Sequence, residues 1–197
     1  MQVRKFRCGD LFDIHPTKAY KCNNDGLFVK EGKVPVLSNS SVDNGISGFS
    51  GLEPTEEGGI ITFSDTTTGA DSMFYQYCPF IGYAHVQGMY AKDKKNWGEY
   101  QQRYFIGVMQ QAAGKGWSYS NKFNRKLVAE MQPILPIKVD EYNNPIIDKD
   151  CKYHKDGYIP DFDFMKKYIR VVEKLVIADV VKYKDEIINK TKEVISA

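Results

Sequence analysis

The 197 residues are 42% hydrophobic and 13% aromatic, a composition that is typical of a globular protein and excludes a disordered one. Acidic and basic side chains nearly balance, with a formal net charge of +2. The N-terminal segment is polar and basic, and no run of about 18 apolar residues occurs. The sequence therefore predicts neither export nor a membrane span and indicates a cytoplasmic protein.

Cysteine and histidine spacing gives no sign of a metal or redox site. Neither a CxxC nor an HExxH pattern occurs, and close spacing of this kind is what such sites require. We therefore predict no bound metal and four reduced, mostly buried thiols. These are Cys8, Cys22, Cys78 and Cys151.

Charge is unevenly distributed along the chain. Residues 23–89 carry eight acidic and two basic side chains, whereas residues 92–126 carry eight basic and two acidic ones. A basic stretch on a near-neutral protein suits a surface that faces phosphates, because neutralising phosphates releases counterions. The alternative is an ordinary solvated face.

Residues 1–157 have the pattern of a mixed, strand-rich domain. Short runs with β-branched or aromatic residues alternate with turn signals such as NNDG, SGFSG and EEGG. Phe123, Leu127 and Met131 have helical spacing, and Pro133 ends that short helix. The predicted strands are LFDI (11–14), GLFVK (26–30), VPVLS (34–38), GIITFS (59–64), MFYQY (73–77), RYFIGVM (103–109) and ILPIKV (134–139).

Residues 158–197 predict one long helix, with Asp161 as its N-cap and no Pro or Gly after it. About 33 residues would form a rod of roughly 50 Å, longer than a small domain needs. We therefore expect its apolar stripe to form a coiled coil with a helix of another chain; the alternative is a helix folded back on its own domain. The stripe consists of Phe162, Met165, Ile169, Val172, Val176, Val180, Tyr183, Ile187 and Val194.

Motifs of catalysis are missing from the sequence. There is no glycine-rich phosphate loop and no nucleophile elbow, and NNPI (143–146) lacks the second proline and the aromatic residue of a methyltransferase motif. Glu31 and Lys33 have the ExK form of many nucleases, but no PD dipeptide precedes them, and we expect an exposed turn. The sequence thus predicts a binding protein that is not an enzyme.

Five segments, in order, resemble the specificity subunit of type I restriction–modification systems. The most specific is residues 59–92, which contain Phe74-Tyr75-Gln76, Pro79-Phe80 and His85-Val86-Gln87. The other four are GDLFDI (9–14), VPVLSNSSVDNGISGFSG (34–51), RYFIGVM (103–109) and KFNRKLVAEMQPILPI (122–137). The long helix corresponds to the spacer of that family.

The resemblance implies an α+β fold, in which a target-recognition domain (1–157) is followed by one coiled-coil spacer helix (158–197). A standard specificity subunit has two of each, so this chain resembles a natural half-subunit or one half of a longer protein; Met1, a few residues before GDLFDI, favours a natural start. The implied partners are double-stranded DNA, modification (methyltransferase) subunits, a restriction/translocase subunit and a second half-subunit, with a homodimer expected. AdoMet and ATP would be cofactors of those partner subunits, and this chain would carry none.

Polar loops of the domain hold the side chains that we expect to contact DNA. The major groove distinguishes all four base pairs; Asn and Gln suit adenine, Arg and Lys suit guanine, and Thr can contact the thymine methyl. We expect His85 to be a hydrogen-bonded structural residue, and the two tryptophans either to stack on DNA or to anchor their loops. The predicted DNA-contacting residues are Ser38, Asn39, Ser40, Ser41, Asp43, Asn44, Thr66, Thr67, Thr68, Lys94, Lys95, Trp97, Lys115, Trp117, Ser118, Tyr119, Asn121, Lys122, Asn124 and Arg125.

Two other functions remain open at this stage. The first is a coiled-coil adaptor or phage-borne decoy that binds modification subunits without reading DNA. The second is a metal-dependent nuclease that uses Glu31 and Lys33. Sequence-specific binding to a two-part DNA target separates the specificity subunit from both alternatives.

Overall fold

The computed structural model of the chain describes residues 1–66, 70–113 and 123–195. Helices and strands are mixed, and a long helix follows at the C-terminal end, so the predicted α+β class is confirmed. Within the described residues, no helix is both long and apolar enough to cross a bilayer.

Eight strands and five α-helices make up the described fold. The strands are β1 (Val3–Lys5), β2 (Phe12–Pro16), β3 (Val34–Leu37), β4 (Ile46–Ser50), β5 (Ile60–Ser64), β6 (Phe74–Gln76), β7 (Val86–Ala91) and β8 (Ile134–Pro136). The helices are α1 (Cys8–Leu11), α2 (Asn24–Leu27), α3 (Glu99–Ala113), α4 (Arg125–Glu130) and α5 (Phe162–Ile195).

A four-stranded antiparallel sheet in the order β2-β7-β5-β6 forms the centre of the domain. In the β5–β7 pair, Ile61 lies opposite Met89 and Ser64 lies opposite Val86. The end of β5 at Ser64 and the start of β7 at Val86 therefore lie at one end of the sheet, and the start of β5 and the end of β7 lie at the other. Two further antiparallel pairs, β3–β4 and β1–β8, flank the central sheet.

The main core lies between the central sheet and α3. Phe12 of β2 contacts both Trp97 and Phe105, with ring centroids 4.8 Å apart in each case. Phe105 and Met109, one helical turn apart on α3, are fully buried. This face of α3 therefore covers the sheet.

Two of the predicted strands are wrong. RYFIGVM lies inside α3, because the i, i+4 pair Phe105 and Met109 has a sheet to pack against and the flanking residues are good helix formers. GLFVK lies at the end of α2 and in the loop after it, where the side chain of Asn23 accepts a hydrogen bond from Gly26 N and caps the helix. A short run of apolar residues does not show which of its side chains will be buried.

The first turns of α5 pack against the domain. Phe164 N donates a hydrogen bond to Asp161 Oδ1 at 2.9 Å, which confirms the predicted N-cap. Met165 is fully buried in the core, so its prediction as a dimer contact is wrong. Phe162 packs edge-on against Trp97 and Tyr153 of its own domain, with ring centroids 5.2 and 5.5 Å apart.

Ile169 is half-buried, and Glu173 still pairs with Arg103 of α3; beyond Glu173, α5 leaves the domain. The alternative of a helix folded back on its own domain therefore holds only for its first turns. The exposed members of the predicted stripe are Val172, Val176, Val180, Tyr183 and Ile187. The side chain of Val194 lies outside those that the structure describes.

All four cysteines are free thiols, as predicted, but they are not mostly buried. Only Cys8 lies in the core, and burial raises the pKa of its thiol to about 12. Cys22, Cys78 and Cys151 are exposed because they lie in loops outside the helices and the sheet.

A buried carboxylate connects the segment before α3 to the segment before α5. Asp93 accepts hydrogen bonds from Tyr153 Oη and from Asn96 Nδ2 (2.8 Å), and it pairs with Lys152 Nζ at 2.9 Å. Burial of this carboxyl raises its pKa, but the hydrogen bonds from Tyr153, Lys152 and Asn96 lower it more, and the net pKa is well below the usual range. The ionised form of Asp93 therefore stabilises the fold.

Replacing Asp93 with Ala should lower the free energy of unfolding by about 1–3 kcal/mol at neutral pH, since the buried hydroxyl of Tyr153 loses its acceptor. The folded-state pKa is depressed, so this stabilisation is complete above the usual carboxyl pKa of 3.8 and is lost as the pH falls below it. Denaturant unfolding at pH 7 and at pH 3 should show a smaller gap between variant and wild type at pH 3. Asp13→Ala, at a 66% exposed carboxylate, is the control and should change little at either pH.

Candidate nucleic-acid interface

The loop after β3 contains the first predicted DNA-contacting set and has an unusual backbone. Three successive residues, Asp43, Asn44 and Gly45, have positive φ angles of 51°, 55° and 78°. Such angles disfavour residues with a side chain, so contacts elsewhere must hold this conformation. Ser40 Oγ accepts from Val42 N at 3.1 Å and supports the preceding turn.

Gln76 at the end of β6 holds this loop in place. Its side chain is buried, with Nε2 donating to Asn44 O at 3.1 Å and to Thr62 Oγ1 at 2.8 Å. Its Oε1 accepts from Asn44 Nδ2 at 3.0 Å. One buried amide therefore fixes both the backbone and the side chain of a residue with positive φ.

The turn after β5 lies against the same loop. Asn39 Nδ2 donates to Thr66 Oγ1 at 3.1 Å, and Thr66 Oγ1 lies 2.9 Å from Ser64 Oγ. The structure thus brings together two predicted sets that are far apart in sequence. We refer to residues 38–44, 64–66 and 85 as the polar rim.

His85 completes the polar rim at the start of β7. It has a φ of 68°, and its side chain is 61% exposed. Its Nδ1 lies 3.1 Å from Asp65 Oδ1, and the other carboxylate oxygen of Asp65 accepts from Gln87 Nε2 at 2.8 Å. The prediction that His85 is hydrogen-bonded is confirmed.

The polar rim carries negative charge and hydrogen-bonding groups. Residues 34–91 contain no Lys or Arg, while Asp43 and Asp65 belong to the rim. Asp71 is close to it, since Ser64 N donates to Ser72 Oγ at 3.1 Å. The described part of the rim therefore suits neutral hydrogen bonding more than contact with phosphates.

Lys94 and Lys95 lie at the other end of the sheet. They follow the last residue of β7, whereas the polar rim lies where β5 ends and β7 begins. Both lysines are exposed, and Lys94 lines a cavity of about 640 Å³ together with Lys18, Glu56 and Tyr90. The structure therefore does not bring these lysines together with the polar rim.

Trp97 and Asn124 have structural roles. Trp97 is 2% exposed and packs against Phe12 and Phe105, so it has no free surface on which a base could stack. Asn124 Oδ1 accepts from Lys126 N (3.0 Å) and Leu127 N (3.1 Å) and caps α4. The indole anchors the core, and the asparagine starts a helix.

The remaining predicted residues are an exposed arginine and eight positions that the structure does not describe. Arg125 is exposed in the first turn of α4, close to Phe123, which packs edge-on against Phe63 of β5 with ring centroids 5.4 Å apart. Since Phe63 precedes Ser64, the contact between Phe123 and Phe63 lies near the end of β5 that belongs to the polar rim. Outside the described residues lie Thr67, Thr68, Lys115, Trp117, Ser118, Tyr119, Asn121 and Lys122.

Glu31 and Lys33 lie exposed in the turn before β3. In residues 1–66, 70–113 and 123–195, no group of three or more His, Cys, Asp or Glu side chains is placed to hold a metal ion. The described surroundings of Glu31 and Lys33 therefore provide no support for the nuclease alternative.

Comparison with solved structures shows that the fold is similar to that of a type I restriction–modification S subunit. The crystal structure of the type I restriction–modification system S subunit from M. genitalium matches with a TM-score of 0.59 and 15% identity, over 94% of this chain and 41% of that chain. The HsdS subunit from Thermoanaerobacter tengcongensis matches with a TM-score of 0.49 and 12% identity, over 89% of this chain and 38% of the other. This chain therefore spans about two fifths of the length of either subunit.

No family model matches the sequence, and no curated protein does. The fold nevertheless confirms the resemblance that the five sequence segments indicated. Three residues that hold the polar rim, Asp65, Gln76 and Gln87, were missing from the predicted set. Two of them are the glutamines of Phe74-Tyr75-Gln76 and His85-Val86-Gln87, so the motifs contained the signal.

Replacing Gln76 with Ala should destabilise the loop of residues 38–45, because Asn44 loses both amide partners while keeping its positive φ. We expect a loss of about 1–3 kcal/mol in the free energy of unfolding and faster amide hydrogen exchange in this loop. Gln110→Ala, at an exposed glutamine of α3, is the matched control and should leave exchange in the loop unchanged. Unchanged loop exchange in Gln76→Ala would show that the amide does not hold the loop.

Proposed function

We propose that this chain is the sequence-specific DNA-recognition subunit of a type I-like restriction–modification complex. It would read DNA, pair with a second copy through α5 and position partner modification and restriction subunits, with no catalytic activity of its own. The observation that carries this proposal is the S-subunit fold with α5 leaving the domain and exposing an apolar stripe. A stripe of this kind on a helix without a described covering element is typical of a protein interface.

The heptad spacing of the stripe supports pairing of two helices. Val176, Val180, Tyr183 and Ile187 follow one another by four, three and four residues. This alternation keeps side chains on one seam of a coiled coil. Because the helix starts inside its own domain and extends away from it, an antiparallel pair would place two domains at opposite ends.

A second seam supports docking of further subunits. Ile177, Val181 and Ile188 are each shifted by one residue from the first seam and are also exposed. A two-stranded coiled coil covers only one such seam, so the second would remain available to helices of partner subunits.

The length of α5 sets the expected DNA target. At 1.5 Å per residue, its 34 residues extend about 51 Å, which equals roughly 15 base pairs at 3.4 Å each. Two identical domains related by a twofold axis would recognise two half-sites in opposite orientation. The target would therefore be a two-part palindrome with a nonspecific spacer.

One observation favours the adaptor as a second candidate. The described polar rim contains Asp43 and Asp65 and no Lys or Arg, which weakens attraction to the DNA backbone. A chain that occupies modification subunits without reading DNA needs the helix seams and no basic surface.

Replacing Val176 and Val180 with Glu should abolish self-association, since two charges would enter an apolar seam. We expect the dissociation constant of the dimer to rise roughly a hundredfold or more, which corresponds to about 2.8 kcal/mol, measured by analytical ultracentrifugation. Val171→Glu is the matched control, because Val171 has the same residue type and nearly the same exposure as Val176 (55% and 57%) but lies outside the seam. A wild-type chain that is monomeric at all concentrations would contradict the homodimer.

Methylome mapping tests the function as a whole. Cells that carry the chain should show a methylated two-part motif that disappears when the chain is removed and returns when it is restored. A palindromic motif supports a homodimer, and an asymmetric one indicates pairing with a different half-subunit. An unchanged methylome, with the chain bound to modification subunits, would support the adaptor instead.

A further inference from the structure

His85 occupies a position that ordinarily suits glycine. A φ of 68° is rare for residues with a side chain. The position ends the β5–β7 ladder, where Asp65 N donates to His85 O at 3.0 Å and holds the backbone. The imidazole is nonetheless mostly exposed, so burial does not explain why a large side chain stands there.

Asp65 determines which imidazole nitrogen carries a proton. A carboxylate only accepts hydrogen bonds, so the Nδ1 that lies 3.1 Å from Asp65 Oδ1 is the donor. Asp65 is itself held by the buried amide of Gln87 through its other oxygen. In the neutral ring the second nitrogen, Nε2, is therefore an acceptor.

The described side chains that contact His85 and its partner are polar, since Asp65 lies against the ring and Gln87 donates to Asp65. His85 borders the turn that carries Thr66, to which Asn39 donates. The carboxylate of Asp65 repels phosphates, whereas the uncharged ring nitrogen beside it accepts hydrogen bonds from donors. In the major groove the only donors on base edges are the exocyclic amino groups, N6 of adenine and N4 of cytosine.

We propose that His85 is a specificity-determining residue, with Nε2 accepting a hydrogen bond from the exocyclic amino group of an adenine or a cytosine. Asp65 is the positioning residue that holds the proton of the neutral ring on Nδ1, which leaves Nε2 as the acceptor. This inference rests on the proposed DNA-reading function.

The test is selection from a pool of randomised DNA duplexes. The complex is purified from its own cells through a tag on the full chain, and bound duplexes are sequenced for wild type, His85→Gly, Asp65→Asn and His15→Ala. Glycine favours a positive φ, so His85→Gly removes the ring while the melting temperature stays equal or rises. His15 is an exposed histidine of β2 that stacks on Tyr90, and its Nδ1 lies 3.1 Å from Pro16 O instead of from a residue of the polar rim, which makes His15→Ala the matched control.

We expect His85→Gly to lose preference at one base pair of each half-site, by about threefold to tenfold, and to keep the rest of the motif. The lost base identifies the amino group: adenine at an A·T pair or cytosine at a C·G pair. In Asp65→Asn the amide can donate to Nδ1, so Nε2 becomes a donor and the same position should shift towards guanine or thymine. A merely structural histidine would not produce that shift.

The outcomes separate this inference from the function on which it rests. A wild-type complex that enriches no motif overturns both. A wild-type motif that His85→Gly retains at every position, or weakens equally at every position, overturns the role of His85 alone. Loss of a base preference in His15→Ala would also count against it.

Discussion

The direction of α5 depends on the burial of its first turns against α3 and the core. Met165 is fully buried, Phe162 packs on Trp97, and Glu173 forms an ion pair with Arg103 of α3. These contacts hold the base of a helix whose later apolar side chains have no covering element in the described part of the chain. A rod fixed at one end can set a distance between two domains, whereas a rod on a mobile hinge cannot. The buried base of α5 is therefore the physical basis of the proposed spacing function.

The polar rim follows the same principle on a smaller scale. Its loops have positive φ angles at Asp43, Asn44 and His85, and buried or partly buried groups such as Gln76 and Asp65 hold them. Holding a loop before binding reduces the conformational entropy that must be lost in the complex. Groups that only position other groups are thus as important to such a surface as those that touch a ligand.

The polar rim and the exposed lysines after β7 lie on different parts of this domain. The polar rim is acidic or neutral, while Lys94 and Lys95 lie at the opposite end of the sheet. A protein that reads bases with one surface needs basic side chains nearby to hold the phosphates. Arg125 lies two residues after Phe123, whose ring packs against Phe63 near the end of β5, and is an exposed basic residue on that side of the domain.

The sequence by itself determined α5, because an N-cap and an apolar period along an uninterrupted run are local signals that need no neighbour. It also determined the strands β3, β5 and β6, whose apolar runs lie between turn residues. Tertiary structure decided that RYFIGVM is a helix, since Phe105 and Met109 form a face only when a sheet lies beneath them. It also decided that Trp97 is buried and that Asp65 meets His85 and Gln76 meets Asn44, across 20 and 32 residues of chain. Contacts at such separations depend on how the strands pair, and no local pattern contains that information.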